Sequence, residues 1–173
     1  MSTMYPIGVV LPYAGPLTPT SEAALIADGF LPCDGRALGN TDPQYQALFK
    51  VLQNANGGTS TTFCVPDYRG IVLRGTDNGA GVDPDAATRT APQPELAMPG
   101  NTGDAVGSFQ AGGLQAHTHT YASFNSGHKI DYGGAETPGV FKQATTTTAA
   151  SAATGGAETR PKNTYINYVI SYL

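Results

Sequence analysis

Glycine and proline, 22 and 13 of the 173 residues, interrupt this chain so often that long helices have little room to form. Glycine opens backbone angles that other residues avoid, and proline removes a hydrogen-bond donor. Frequent use of both predicts short strands joined by turns. Apolar residues make up 40% and charged residues 13%, a thin supply for the core of a lone monomer of this length. Oligomerisation is one way to make up the difference. The length itself suits one ordinary domain or two small ones.

A net charge of −4 and the lack of any Lys/Arg cluster argue against a nucleic-acid partner, because nothing offsets phosphate charge. The early apolar run Ile7 to Leu11 lies between Pro6 and Pro12 and has no basic residues before it. It reads as a strand rather than a signal peptide. No stretch approaches the roughly 20 apolar residues of a membrane span. The expectation is a chain that folds in the cytoplasm and does not insert into a membrane. Cys33 and Cys64 lack CxxC spacing and have no nearby histidine, which predicts two buried thiols; a disulfide needs the two strands to be neighbours.

Strands are predicted at Tyr5–Tyr13, Phe30–Gly35, Thr61–Val65, Ile71–Leu73, Leu114–Tyr121 and Tyr165–Leu173. Residues Pro16, Pro19 and Ser21 mark a turn-rich segment. One helix is expected from Pro43 to Gln53, with Asp42 as N-cap and Pro43 in the first turn, where its missing N–H costs nothing. Tyr45, Leu48, Phe49 and Leu52 form its apolar stripe, a core face. From Gly75 to Gly113 the chain is rich in Gly and Pro and poor in apolar residues. So long a connection is either disordered or held by neighbouring chains. Residues 122–154 are small and polar, with a Thr/Ala run near their end. The final strand is apolar on both faces and should be covered on both, in the interior or at a subunit interface.

His117 and His119 supply the one metal-like feature. On a strand they share a face, roughly 6.6 Å apart, so both imidazoles can reach toward one point. Two ligands are too few for a closed site. Three chains around an axis would give six, suited to an octahedral first-row ion such as iron, nickel or zinc. Two solvated histidines on an exposed strand are the alternative. The run from Asp77 to Asp85 partly resembles a calcium loop but lacks its terminal Glu. No HExxH, GxSxG or phosphate loop occurs, and no nucleophile is marked by its surroundings.

Several segments together resemble one family. Pro6-Ile7-Gly8 with Tyr13-Ala14-Gly15, Phe30 to Leu38, and Thr62 to Gly70 through Leu73-Arg74-Gly75 are similar to the phage tail-collar family, whose bacterial relatives are called microcystin-dependent proteins. Asp77 to Ala87, Gly103 to Ser108, the His117/His119 pair and Glu158 to Asn163 resemble tail-fibre C-termini. The family usually has Trp where Phe30 stands, and a polar residue where Cys64 stands. The stretch between His119 and Gly155 has no counterpart in the resemblance.

The resemblance implies a mainly β fold with one short helix, a collar-like N-terminal part and an intertwined trimeric β C-terminal tip. It divides the chain into a tail-collar-like domain (1–76), a Gly/Pro-rich inter-chain connector (77–113) and a trimeric tip (114–173) with the His-x-His strand, a distal loop and the final strand. It also implies that His117 and His119 of three chains hold a transition-metal ion on the axis, commonly iron. The expected role is non-enzymatic: a structural and receptor-binding part of a phage or phage-like contractile particle, with baseplate or fibre proteins and a host-surface glycan or protein as partners. Within the distal loop, Tyr121, Phe124, Asn125, His128, Tyr132 and Phe141 are the candidate receptor contacts, since aromatic faces stack on sugars. A free-standing lectin-like module of bacterial origin is the alternative. A metallohydrolase is disfavoured, because six imidazoles leave no open position on the ion.

Overall fold

The computed structural model describes residues 5–113 and 163–173. Residues Met1–Ala111 and Lys162–Leu173 form one compact unit. Gly112–Pro161 cluster separately and, apart from Gly112 and Gly113, lie outside the described residues.

The fold is mainly β, built on two small antiparallel sheets. The first holds β1 (Val10–Tyr13), β2 (Phe30–Pro32) and β5 (Asn167–Ser171) in the order β1-β5-β2; the second pairs β3 (Ala37–Gly39) with β4 (Thr62–Cys64). The last strand is thus the central one of the first sheet. Val10 pairs with Ile170 on one side of β5, and Leu31 pairs with Ile170 on the other. Gly8 N–H to Ser171 O (2.9 Å) and Ser171 N–H to Val9 O (3.0 Å) carry the bonding past the end of β1. The two-faced apolar pattern of this strand is accounted for: Val169, Ile170, Ser171 and Tyr172 are all buried. Its ladder partners lie near the start of the chain.

Two α-helices are present among the described residues, not one. The first, α1 (Pro19–Ala27), occupies the segment expected to be turns. Thr18 is its N-cap. The Thr18 hydroxyl accepts from Ser21 N–H (3.2 Å) while the Ser21 hydroxyl accepts from Thr18 N–H (2.9 Å), with Pro19 in the first turn. Serine replaces the usual Glu or Gln of that box, and Ala23 to Ile26 form a continuous apolar run rather than a helical stripe. Both facts hide the helix from a periodicity reading. The second, α2 (Gln46–Leu52), begins three residues later than the Asp42/Pro43 signal suggests. Asp42 still organises the entry: its carboxylate accepts from Gln44 N–H (3.0 Å) and its carbonyl from Tyr45 and Gln46 N–H (each 3.0 Å). The stripe faces the core as expected. Leu48 is fully buried, and Tyr45, Phe49 and Leu52 pack against the cluster beneath.

That cluster joins Leu31, Cys33, Leu38, Leu48, Phe63, Val65, Ile170 and Tyr172, and so draws on both sheets and on α2. Phe63 meets Phe49 in a tilted ring contact at 5.2 Å between centroids. The Tyr172 hydroxyl donates to Ile26 O (2.8 Å) and accepts from the Gln44 amide (3.2 Å), which ties the last residues to the end of α1 and the entry to α2. Cys33, just past the end of β2, and Cys64, at the end of β4, are buried free thiols. Phe30, in the usual Trp position, meets Tyr5 edge-on at 6.0 Å.

Two further expectations change. Ile71–Leu73 has no ladder partner among the described residues and is not a strand. The Gly/Pro-rich stretch is bonded by its own chain from Asp77 as far as Gln110. Thr90 and Phe109 exchange two backbone bonds (each 2.8 Å), Gly58 pairs with Met98, and Asn101 N–H reaches Ala55 O (2.9 Å). Glycine has a specific use here. Gly107 sits at φ +90°, and a Cβ on it would stand 2.4 Å from Ala55 O, so only glycine lets these backbones meet.

Phe63→Ala removes a fully buried ring from the centre of the cluster. The expected cost is about 3–5 kcal/mol, read as a lowered urea midpoint, whereas Val82→Ala at a 76% exposed position should leave the midpoint within error.

Candidate functional site

The two segments most like the collar family lie against one another. Cys33-Asp34-Gly35-Arg36 leaves β2, and Pro66-Asp67-Tyr68-Arg69 follows β4. Asp34 and Asp67 form an antiparallel bridge, with Gly35 N–H to Pro66 O (3.2 Å) and Tyr68 N–H to Cys33 O (3.1 Å) alongside. Gly35 is at φ +77°, and a Cβ there would meet the Asp67 side chain at 3.0 Å. The Asp-Gly motif is therefore a packing requirement at this crossing.

Each aspartate is clamped by the arginine two residues on. Asp34 accepts from the Arg36 backbone N–H (3.2 Å) and from Arg36 Nε (2.9 Å); Arg36 Nη1 continues to Glu22 Oε1 (2.7 Å), which fastens α1 to this turn. Asp67 accepts from Arg69 N–H (3.2 Å), Nε (2.8 Å) and Nη2 (2.6 Å). Burial pushes the Asp34 carboxyl upward, but the Arg36 hydrogen bonds and charge outweigh it and hold the group below the usual carboxylate range. Hydrogen bonds from Arg69 do the same for Asp67. Cys33 next to them is pushed up to about 12 by burial, then by the charges of Asp34 and Asp67, so it stays a thiol.

A groove of about 740 Å³ adjoins this crossing, with Asp34, Asp67, Arg69, Ile71–Thr76 and Asp104–Gln110 among its lining residues. Among its lining residues, Asp77, Asp83, Arg89 and Asp104 take part in a polar network rather than an apolar core. Asp77 accepts backbone N–H bonds from Gly81, Val82 and Asp83 (2.7–2.8 Å), which lower its pKa. Asp104 accepts from the N–H groups of Asp77 (2.9 Å) and Gly79 (3.2 Å). Asp83, nearly buried, lies 3.5 Å from Arg89 and 3.6 Å from Arg74. The Arg89 guanidinium also donates to the Ser108 hydroxyl (3.0 Å) and the Gln110 amide (3.1 Å).

The part-match to a calcium loop thus has another explanation. The Asp77 carboxylate closes its own backbone loop, and Asp83 faces two guanidinium groups. Among the described residues, no group of three or more His, Cys, Asp or Glu side chains is arranged to hold a metal. Reading the sequence missed Arg89, whose only signal was its place between the Asp-Pro-Asp and Gly-Ser segments. The other candidates, His117 and His119 for metal and Tyr121, Phe124, Asn125, His128, Tyr132 and Phe141 for receptor, lie outside the described residues.

Both clamped carboxylates have folded pKa values below their ordinary 3.8. Their contribution to stability is therefore complete above about pH 4 and is lost as pH falls through the folded values. The melting temperature should stay flat from pH 7 to 5 and drop below pH 4. Asp34→Asn should cost about 1 kcal/mol at pH 7, a figure discounted for partial exposure, and should weaken the acid dependence. An unchanged acid limb in this variant would place the labile group elsewhere.

Residues 8–73 match the Phage Tail Collar Domain family, and so take in β1 through the paired Asp–Arg turns. The chain is also similar to Protein RhiB of Rhizobium leguminosarum bv. viciae, with 34% identity over 197 aligned positions covering 96% of this chain and 86% of RhiB. No helix among the described residues is long and apolar enough to cross a membrane. With the collar motifs brought together at one crossing, and similarity to a relative along nearly its whole length, the chain belongs to the phage tail-collar family.

Proposed function

We propose that the protein is a non-enzymatic tail-fibre or tail-collar component of a phage or phage-like contractile particle, a homotrimer that attaches the particle to a host cell surface. The observation that carries this reading is the collar match over residues 8–73. Its chemistry agrees. The carboxylates at the crossing and along the groove are bonded to arginine or to backbone N–H groups, an arrangement that holds backbone in place. A structural part of a tail needs stiff connections of this kind. Baseplate or other fibre proteins are the partners on one side, and a host glycan or protein on the other.

Two parts of this proposal concern the stretch beyond the collar. His117 and His119 of three chains would together supply six imidazoles to one transition ion, with iron the first choice and nickel or zinc the others. Such an ion would add to stability, because separated, unfolded chains cannot form the site. Residues 122–154 would carry the receptor contacts, with the aromatic groups named above stacking on sugar rings. Binding in triplicate would let weak single contacts add.

Light scattering should give three times the 17.8 kDa chain mass, and elemental analysis should give about one transition ion per three chains. A 17.8 kDa particle at micromolar concentration contradicts the oligomer. A His117→Ala/His119→Ala variant that melts like the parent, from a metal-free preparation, contradicts the ion. Replacing 122–154 with a short Gly/Ser turn should leave the trimer and abolish adsorption to susceptible cells. Undiminished adsorption would move the receptor site to the collar.

A further inference from the structure

Between the Asp67/Arg69 turn and the Asp77 loop, the residues from Val72 to Thr76 run without turn or bend. None of them makes a backbone hydrogen bond among the described residues. Val72 is 83% exposed, and the Arg74 side chain is 48% exposed. The Arg74 guanidinium stands 3.6 Å from Asp83, beyond hydrogen-bonding reach, so this exposed pair holds it loosely. An endoprotease takes its substrate as an extended strand and bonds to the backbone along it. A folded chain permits this only where its own backbone is exposed and unbonded. Residues 72–76 meet that requirement without unfolding, and they carry an arginine at their centre.

The other arginines are closed to such an enzyme. Arg36 is bonded to Asp34 and Glu22, and its carbonyl accepts from Val65 N–H (3.1 Å). Arg69 is clamped by Asp67, and the chain turns directly after it, with Gly70 at φ +70° and Ile71 N–H bonded to Tyr68 O (3.2 Å). The Arg89 side chain is 18% exposed, and its carbonyl accepts from Gly103 N–H (2.9 Å). Arg160 precedes Pro161, whose ring and missing N–H block cleavage at that bond.

We propose that Arg74–Gly75 is a processing site, cut in the folded protein by an arginine-directed endoprotease, and that the two products stay together as one body. Water adds across the peptide bond, leaving a carboxylate on Arg74 and an ammonium on Gly75. The retention of both products follows from the topology. Residues 1–74 carry β1 and β2, whereas β5, which joins them, belongs to 75–173. Ile170 and Tyr172 enter a core built otherwise from the first product. Gly58 with Met98, and Ala55 with Asn101, add backbone bonds across the same division. The cut removes a covalent link and leaves all of these contacts. This inference goes beyond the tail-component reading and does not depend on the oligomeric state.

Brief digestion of the full-length protein with an arginine-specific endoprotease tests both halves of the proposal. Denaturing electrophoresis and mass spectrometry should show 1–74 and 75–173 as the first products, and Arg74→Gln should lose them. Gel filtration without denaturant should return both in one peak at the position of the uncut protein. Urea well below the unfolding midpoint should not speed the cut, because no opening precedes it. A first cut after Arg36, Arg69 or Arg89, or resistance to the enzyme, overturns the processing site. Products that elute apart overturn the joint body.

Discussion

The insertion of β5 between β1 and β2 is the constraint on which the rest of the collar unit depends. Neither β1 nor β2 has another ladder partner among the described residues, and the two do not pair with each other. Without the last residues of the chain, Val10 to Tyr13 and Phe30 to Pro32 would be isolated extended segments, and a short isolated strand has little stability in water. The same residues supply Ile170 and Tyr172 to the core and bond the end of α1 through the Tyr172 hydroxyl. The described residues on the two flanks therefore close one unit jointly.

A second device holds what the apolar core cannot. The stretch from Asp77 to Gln110 buries few large side chains, yet its backbone is bonded through carboxylates. Asp77 takes three N–H groups, Asp104 takes two, and Arg89 meets Asp83, Ser108 and Gln110. Charge-assisted bonds of this kind do not need a hydrophobic interior, and they fix loop geometry as firmly as a turn motif would. The paired Asp34/Arg36 and Asp67/Arg69 turns follow the same logic at the crossing of the two sheets. One chemical theme, an aspartate clamped by a nearby arginine or by backbone amides, recurs from Asp34 to Asp104.

The sequence was most legible where periodicity and burial coincide. The stripe of α2 was plain from Tyr45, Leu48, Phe49 and Leu52, and the last strand from its two apolar faces. The collar resemblance rested on residues that prove to touch, Gly35 and Asp67 among them. Legibility failed for three physical reasons. The α1 helix is announced by Thr18, Pro19 and Ser21, a box without its usual glutamate, and it has no stripe to confirm it. Ile71–Leu73 has strand composition, but a strand also needs a partner, and none of the described residues supplies one. The position of β5 is a long-range pairing between residues some 160 apart, as Val10 with Ile170, and no local signal encodes which edges a strand will join. Of the candidate site, the carboxylates at the crossing were visible as motif residues; Arg89 was not, because a guanidinium that gathers distant groups leaves no spacing to read.

The central claim is that the collar unit exists as a unit only with β5 in place. Thermal unfolding of a chain ending at Asn163, followed by far- and near-ultraviolet circular dichroism beside the full-length protein, tests it most directly. The account predicts that the shortened chain loses its cooperative transition and its near-ultraviolet signal, as β1 and β2 lose their common partner and the core loses Ile170 and Tyr172. A shortened chain that melts cooperatively at the full-length temperature, with its aromatic signal intact, would contradict it.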